Sequence, residues 1–415
     1  MSITGERMIS RSLVAHLDAD CFYVSAERVR HPDLIGKPVG VLGNQGACVI
    51  AKSYEMKAAG VKTGEPIWDA RVKCPEGIYI KRDFRWYEVI SRQMLDVTRK
   101  HSHLVEYYSI DEFFFAVDTP RGQPVEPAIR AVQAEIKEKL RVPVTIGVAR
   151  TRTLAKLFSD TAKPFGVRVA CTREEERERL SKLSVQEISG IAGRRAKRLG
   201  DRGIHTCLQL ADADRRVVRD LLTKTGEDLW WELNGTPATP IRPNRTPHQF
   251  ISRGGSIGGA SGDPNVIEAW LVRNAERLVE ELEFYEVKAG NLTLALHFSN
   301  HPSIGANAPL ASHTDRFDGL LDGLRIALPR CWRPGLIVTH MHLLAGKLRK
   351  PGFTQPGLFD PPAEPSDTIA RLKREAGERH GRFSVRSGTT LFLPELYRDP
   401  SHGFDICDVR GKFCF

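Results

Sequence analysis

Three carboxylates carry the chemistry that this 415-residue chain could do. Asp111 and Glu112 stand side by side in "YYSIDEFFF" (107–115), and Asp18 lies near the end of the β-rich run "SLVAHLDAD" (12–20). Adjacent carboxylates within an aromatic strand repel each other and are costly to desolvate unless something neutralises them. On a flat strand neighbouring residues point to opposite faces, so both could serve one site only at a hairpin tip. Set beside a strand end carrying Asp18, the three would make an oxygen-donor site for hard divalent cations, most plausibly Mg2+. Two such ions clamp the attacking and leaving oxygens of an in-line phosphoryl transfer. The other reading is a polar turn, since Asp commonly fills turns.

The elements around these residues support a tip. "LVEYY" and "FFFAV" read as two strands joined by the turn 109–112. "CFYVSAERVR" reads as a helix after the Asp18 strand, "KPVGVLG" and "ACVIAKS" as short strands, and "YEMKAAG" as a short helix stopped by Gly60. A helix over 126–140 and the strand "VPVTIGVA" follow, which predicts helices laid on an antiparallel sheet. Beyond it the chain turns helical and charged, with Thr172 and Glu175 spaced as a capping box. "TPATPIRPNRTP" carries four prolines and is the best linker candidate. A further α/β unit has strands near 250–258, at "NLTLALHF" and at "LIVTHMHLL", with helices near 264–283 and 314–329. His340 and His342 share a strand face there; two imidazoles without further ligands read as ordinary strand histidines.

Composition sets bounds. The chain has 61 Lys+Arg against 51 Asp+Glu, a net charge of +10, which suits a polyanionic partner, nucleic acid first. Its eight cysteines are scattered without a C-x-x-C pair, so reduced thiols are expected rather than a zinc cluster or disulfide framework. With no signal peptide and no run of 18 apolar residues, a soluble cytoplasmic protein without membrane attachment is predicted.

Four motifs in order, "HLDADCFYVSAE", "GKPVGVLGN…ACVIAKSYEMKAAGVKTGEP", "YYSIDE" and "IGVARTRTLAKLFSDTAKPFG", resemble the Y-family (translesion) DNA polymerases. The resemblance runs over nearly the whole chain. The phrase "GKPVGVLGNQGACVIA" and the extended tail look closer to the polymerase V catalytic subunit (UmuC) than to the shorter polymerase IV (DinB).

This resemblance implies an α+β, multidomain right-hand polymerase. Palm is expected over 1–21 and 83–175, fingers over 22–82, and a helical thumb over 176–232. A linker (233–248), an α/β little finger (249–348) and a tail (349–415) would follow. Asp18, Asp111 and Glu112, with the carbonyl of Ala19, would be the ligands of two Mg2+ ions, with Mn2+ as a substitute. Tyr54, Lys57 and Lys163 would hold the incoming dNTP; Lys57 stands where family members often carry Arg, so the bidentate fork is lost. Tyr23 would be the steric gate against ribose, with Phe22 beside it under the sugar or base. "GIAGRRAKRLGDRGIHT" resembles a helix-hairpin-helix, whose Arg194, Arg195, Lys197 and Arg198 would grip the DNA backbone. Arg253 in "FISRGGSIGG" would meet a phosphate. "QPGLF" resembles a sliding-clamp motif, with Gln355, Leu358 and Phe359 as its anchors.

The function implied is template-directed addition of dNTPs to a primer 3′ end, error-prone and without proofreading. Its partners would be primer-template DNA, a sliding clamp and accessory polymerase subunits. Two alternatives are a non-catalytic DNA- and clamp-binding scaffold of the same fold and another palm-type enzyme such as a nucleotidyl cyclase. Retention of all three carboxylates argues against the first. The helix-hairpin-helix and the clamp-like peptide argue against the second.

Overall fold

The computed structural model describes residues 13–43, 48–117, 123–244, 247–350, 368–380 and 384–392. The chain divides into two compact units between Arg245 and Thr246, inside the proline-rich stretch.

The first unit opens with β1 (Leu13–Ala19) and α1 (Phe22–Arg30). A small sheet follows, made of β2 (Val39–Leu42), β3 (Val49–Lys52) and β4 (Ile78–Lys81), with α2 (Tyr54–Ala58) and α3 (Ile67–Lys73) before its last strand. Next come α4 (Phe84–His101), the hairpin β5 (Val105–Tyr107) and β6 (Glu112–Val117), and α5 (Val125–Leu140). Then follow β7 (Val144–Ala149), α6 (Arg152–Asp160) and β8 (Val167–Val169). Helices α7 (Arg173–Lys182), α8 (Gly193–Gly200), α9 (Cys207–Asp212) and α10 (Arg215–Leu233) complete the unit. The Thr172–Glu175 capping box opens α7 as its spacing predicts.

The main sheet has the order β5-β6-β1-β7-β8. It is antiparallel except for one parallel pair, β7 with β8, which corrects the expectation of a wholly antiparallel sheet. The crossover through α6 makes the parallel pairing feasible. The small sheet likewise gains a parallel strand, β4, that sequence patterning did not reveal.

Alternation along β1 divides its side chains between two faces. Ala15, Leu17 and Ala19 enter a hydrophobic core with Tyr87, Ile90 and Met94 of α4 and Ile129 and Ile136 of α5. His16 and Asp18 face the other way, in register with Phe114 and Glu112 on β6 and with Gly147 and Thr145 on β7. Helix α6 covers this second face. Its Thr151 cap accepts from the Leu154 amide, and Leu154, Ala155, Leu157 and Phe158 are buried.

Close approach of α6 depends on Gly147. A Cβ there would lie 2.2 Å from the Ala155 carbonyl oxygen and 2.4 Å from the Ser159 nitrogen, both backbone atoms of α6. Gly147→Ala should therefore push the helix off the sheet and cost about 2–3 kcal/mol of stability. Thermal unfolding checks this, and an unchanged midpoint would contradict such tight packing.

The second unit contains β9 (Phe250–Ser261), α11 (Pro264–Phe284), β10 (Ala289–Phe298), β11 (Ile304–Thr314), α12 (Phe317–Cys331) and β12 (Val338–Gly346). Its strands form one antiparallel sheet in the order β11-β10-β12-β9. Leu292, Leu294, Leu296 and Phe298 are buried, as their alternation predicts, and join Met341 and Leu343 of β12 and residues of α11 and α12 in one core. β11 was not legible as a strand. From the tail, α13 (Thr368–His380) places Lys373 3.3 Å from Glu276 of α11, and Ser387 Oγ donates to the same carboxylate at 2.8 Å. Among the described residues no helix is long and apolar enough to cross a membrane.

Candidate catalytic site

The turn 108–111 does form a hairpin tip: the amides of Tyr108 and Ser109 both donate to the Glu112 carbonyl, at 3.1 and 3.0 Å. Asp111 leaves the strand, and its carbonyl accepts from the Ala19 amide at 3.0 Å. The tip is thus tied to the end of β1, where Asp18 is the register partner of Glu112.

Among the described residues, the acidic side chains that converge include one that the sequence did not single out. Carboxylate oxygens of Asp18, Glu112 and Asp160 lie within 4.8 Å of one another, with Asp160 supplied by the last turn of α6. Asp111 stands beside them, near enough for its charge to act on Asp18. Its own carboxylate accepts from Ser109 Oγ at 2.5 Å.

Two lysines balance this charge. Lys163 donates to Asp18 Oδ2 at 2.7 Å and lies 3.8 Å from Asp160, whereas Lys156 pairs closely with Glu112 and lies 3.6 Å from Asp160. Burial alone would lower both lysine pKa values, but the carboxylates push them up, so both stay charged. Beneath them His16 is fully buried, with Nδ1 2.6 Å from Ser159 Oγ and Nε2 4.0 Å from Glu112. Burial, then the neighbouring cations, holds the His16 pKa well below its ordinary value, so this imidazole is neutral.

Burial raises the Asp18 carboxyl to about 7, a rise that Glu112 and Asp111 reinforce and Lys163 opposes. Between roughly pH 4 and pH 7 the folded chain therefore keeps a proton that the unfolded chain has lost, and Asp18's contribution to stability falls as pH rises through that window. In EDTA, Asp18→Asn should remove this decline from the pH profile of thermal unfolding. Parallel profiles for variant and wild type would contradict it.

Asp20, one alternation beyond Asp18, pins the flanking loops. It accepts from the Phe165 amide at 2.7 Å, from Thr145 Oγ1 at 3.0 Å and from the Tyr54 hydroxyl at 3.3 Å. The same loop carries Lys163, so Asp20 positions two of the expected nucleotide contacts. Lys57 is exposed on α2, and its charge and that of Lys163 both act on the Cys21 thiol. Cys21 turns the chain from β1 into α1 at φ 48°, a left-handed conformation costly for a residue with a Cβ.

Tyr23 is half-buried and stacks on Tyr87, with centroids 4.6 Å apart and planes at 18°, while Phe84 meets it edge-on at 5.7 Å. Burial, then the Asp111 charge, raises its phenol pKa, so the ring lies beside the acidic tip. Phe22 is buried in the core, 5.7 Å from the Tyr23 ring.

The expected DNA contacts fall in two groups. Arg194, Lys197 and Arg198 are exposed on α8, and Arg195 donates to the Gly190 carbonyl at 2.8 Å. Arg253 shares the strand parity of buried Ile251 and pairs closely with Glu281 of α11, so its guanidinium already has an anionic partner. Gln355, Leu358 and Phe359 lie outside the described residues.

Sequence reasoning missed Asp20, Lys156, Ser159 and Asp160. Two signals were present: the period-two pattern H-x-D-x-D at 16–20, and the spacing of Lys156, Asp160 and Lys163 at four and three residues.

The impB/mucB/samB family matches residues 17–160, and its C-terminal domain matches residues 248–358. DNA polymerase IV 1 of Bacillus subtilis is 30% identical over 390 residues, covering 91% of this chain and 93% of that protein. The chain belongs to the Y-family DNA polymerases. DNA polymerase IV of Bacillus velezensis is 28% identical over the same shares, and that of Acetivibrio thermocellus is 27% identical over 92% of this chain and 98% of its own. A Y-family DNA polymerase chimera of Dbh and Dpo4 shares the fold, with a TM-score of 0.69 at 24% identity over 81% of this chain and 99% of that one. A Dbh DNA polymerase in an insertion ternary complex gives 0.54 at 23% identity. The chain is thus a DNA-directed DNA polymerase of the translesion class, with the α+β multidomain fold expected of it. Membership also implies divalent metal ions. The expected closeness to the polymerase V catalytic subunit is not supported: these relatives are named polymerase IV and align over most of the chain, whereas the phrase that suggested otherwise spans sixteen residues.

Proposed function

We propose that Asp18, Asp111 and Glu112, with the Ala19 carbonyl, hold two Mg2+ ions for nucleotidyl transfer, and that Asp160 lends its charge to the same cluster. The reading rests on one observation: the carboxylates of Asp18, Glu112 and Asp160 converge within 4.8 Å where β1 and β6 end, Asp111 stands at the same hairpin tip, and lysine ammonium groups sit on Asp18 and Glu112. An all-oxygen donor set on a rigid sheet fits a hard cation. When bound, such ions would supply charge neutralisation at the primer 3′ oxygen and on the triphosphate.

The chain's own residues do the positioning. Lys163, which donates to Asp18 at 2.7 Å, would hold the triphosphate together with Lys57 and Tyr54. Tyr23 closes the pocket against a 2′-hydroxyl, and the buried Phe22 supports it. Lys156 holds Glu112, and the neutral His16, anchored by Ser159, packs beneath without adding charge.

On this reading the palm is 1–21 with 83–175, the fingers 22–82, the thumb 176–232 and the little finger 249–348. Arg194, Arg195, Lys197 and Arg198 take the DNA backbone, and Arg253 joins them by exchanging Glu281 for a phosphate. The sliding clamp binds "QPGLF", and accessory subunits act with the polymerase.

Primer extension by Asp111→Ala and Asp160→Asn tests the ligand assignment. Asp111→Ala should lose most activity, and Asp160→Asn should lose less. Undiminished extension by Asp111→Ala would remove that residue from the metal site.

A further inference from the structure

The proline-rich stretch after α10 is fastened by its backbone. Helix α10 ends in a Schellman motif: Gly235, at φ 76°, donates to the Glu232 carbonyl at 3.0 Å, and Thr236 to the Trp231 carbonyl at 2.9 Å. The chain then returns to the start of α6. The Ala238 and Thr239 amides both donate to Glu232 Oε1 at 3.0 Å, while Glu232 Oε2 accepts from the Thr153 amide of α6 at 2.8 Å. Farther on, the Arg242 amide donates to Glu106 Oε2 at 2.6 Å. Pro237 and Pro240 carry no amide hydrogen, so four of the five amides over 236–242 have partners inside the first unit. Proline-rich segments ordinarily lie extended in solvent. Here the side chains of Thr236, Pro237, Ala238, Pro240 and Arg242 are exposed, and two buried carboxylates hold the backbone.

Both carboxylates reach the elements that build the acidic site. Glu106 lies on β5 in register with Phe114 of β6, in the hairpin whose tip carries Asp111 and Glu112. Arg152, the first residue of α6, closes the connection. It pairs closely with Glu106, donates to the Pro240 carbonyl at 3.1 Å and lies over the Phe114 ring at 4.1 Å. Lys156, Ser159 and Asp160 follow on the same helix, ending about 12 Å along it at the acidic cluster.

We propose that residues 236–242 are a coupling segment and that Glu106 is a positioning residue. Docked, the segment fixes α6 against the β5–β6 hairpin, so that Lys156 and Asp160 meet Glu112 and Asp18. The proposal rests on the acidic cluster being the site of nucleotidyl transfer. A buried carboxylate is costly unless charge and hydrogen bonds compensate it. Glu106 receives both, a guanidinium from α6 and an amide from the segment. Lifting the segment takes the Arg242 amide from Glu106 and the Pro240 carbonyl from Arg152 together, and α6 is then less firmly placed. Transfer is sensitive to such placement because its reacting groups must be held in line. The expected nucleotide contacts, Tyr54 and Lys57 on α2 and Lys163 beyond α6, lie outside this linkage. The rate of transfer should therefore respond, and nucleotide affinity should not.

Arg242→Pro tests the coupling with the least disturbance. It deletes the amide that Glu106 accepts, leaves the Glu106–Arg152 pair in place and alters only an exposed side chain. In single-turnover insertion it should lower the maximal rate constant about tenfold, with the apparent dNTP affinity unchanged within about twofold. The reaction amplitude, which counts folded enzyme, should stay at the wild-type value. Arg242→Ala, which retains the amide, should keep the wild-type rate. Glu106→Gln should slow insertion likewise, and adding Arg242→Pro to it should slow it no further.

Hydrogen–deuterium exchange of the full-length protein reads docking directly. The amides of Ala238, Thr239 and Arg242 should exchange about tenfold or more below the rate of an unstructured peptide, and Arg242 should lose that protection in Glu106→Gln. Exchange reports docking whatever the acidic site does, so failure of the site assignment and failure of this proposal are told apart. Unprotected amides over 236–242 in wild type would overturn the proposal. So would a wild-type rate for Arg242→Pro, an equal loss in Arg242→Ala, or additive losses in the double variant.

Discussion

Asp18→Asn should slow single-nucleotide insertion by about 10³-fold, equivalent to about 4 kcal/mol of barrier, because metal-borne charge stabilisation is worth several kcal/mol. The substitution keeps the shape of the side chain and its capacity to accept from Lys163, and removes only the charge. Asp18 is buried on β1 between Glu112 and Thr145 in register, so no neighbour can slide into its place. The same change should leave the metal-free fold as stable as before, or more so near pH 8. It deletes a buried carboxylate that Glu112 and Asp111 both repel. Loss of rate with an unchanged or higher unfolding midpoint is the expected pair of results. A variant that inserts nucleotides at the wild-type rate would refute the role of Asp18, and one that merely unfolds would point to a structural role.

Tyr23→Ala should raise incorporation of ribonucleotides relative to deoxyribonucleotides by about 10²-fold, the scale on which one pocket contact discriminates substrates. The ring is suited to a fixed wall: Tyr87 stacks on it, Phe84 meets its edge, and the buried Phe22 flanks it. Tyr87 is itself held, its hydroxyl donating to Glu27 at 2.8 Å. Tyr23→Phe keeps the ring and should keep most of the discrimination. Insertion assays with matched dNTP and rNTP read both variants. Unchanged sugar selectivity in Tyr23→Ala would remove its gating role.

Much of this was legible because the relevant signals are local. Alternation at Leu292, Leu294, Leu296 and Phe298 named a buried strand face, and the aromatic arms around 109–112 named a hairpin. The site was only partly legible. Asp18, Asp111 and Glu112 stand out as charges in apolar strands, whereas Asp160 and Lys156 look like ordinary polar positions on a short helix. Their importance comes from α6 crossing the sheet at Gly147, a contact that no spacing along the chain displays. Arg253 shows the converse, since its likeness to a DNA contact does not reveal Glu281 waiting beside it on α11.

Primer extension by wild type and Glu112→Gln, on undamaged and abasic templates with Mg2+ and the four dNTPs, tests the central claim most directly. The wild type should extend primers on both templates, stop when EDTA is added, and insert template-directed bases, while Glu112→Gln should show almost no product. Extension by Glu112→Gln equal to wild type, or no extension by wild type on either template with clamp and accessory subunits supplied, would contradict it.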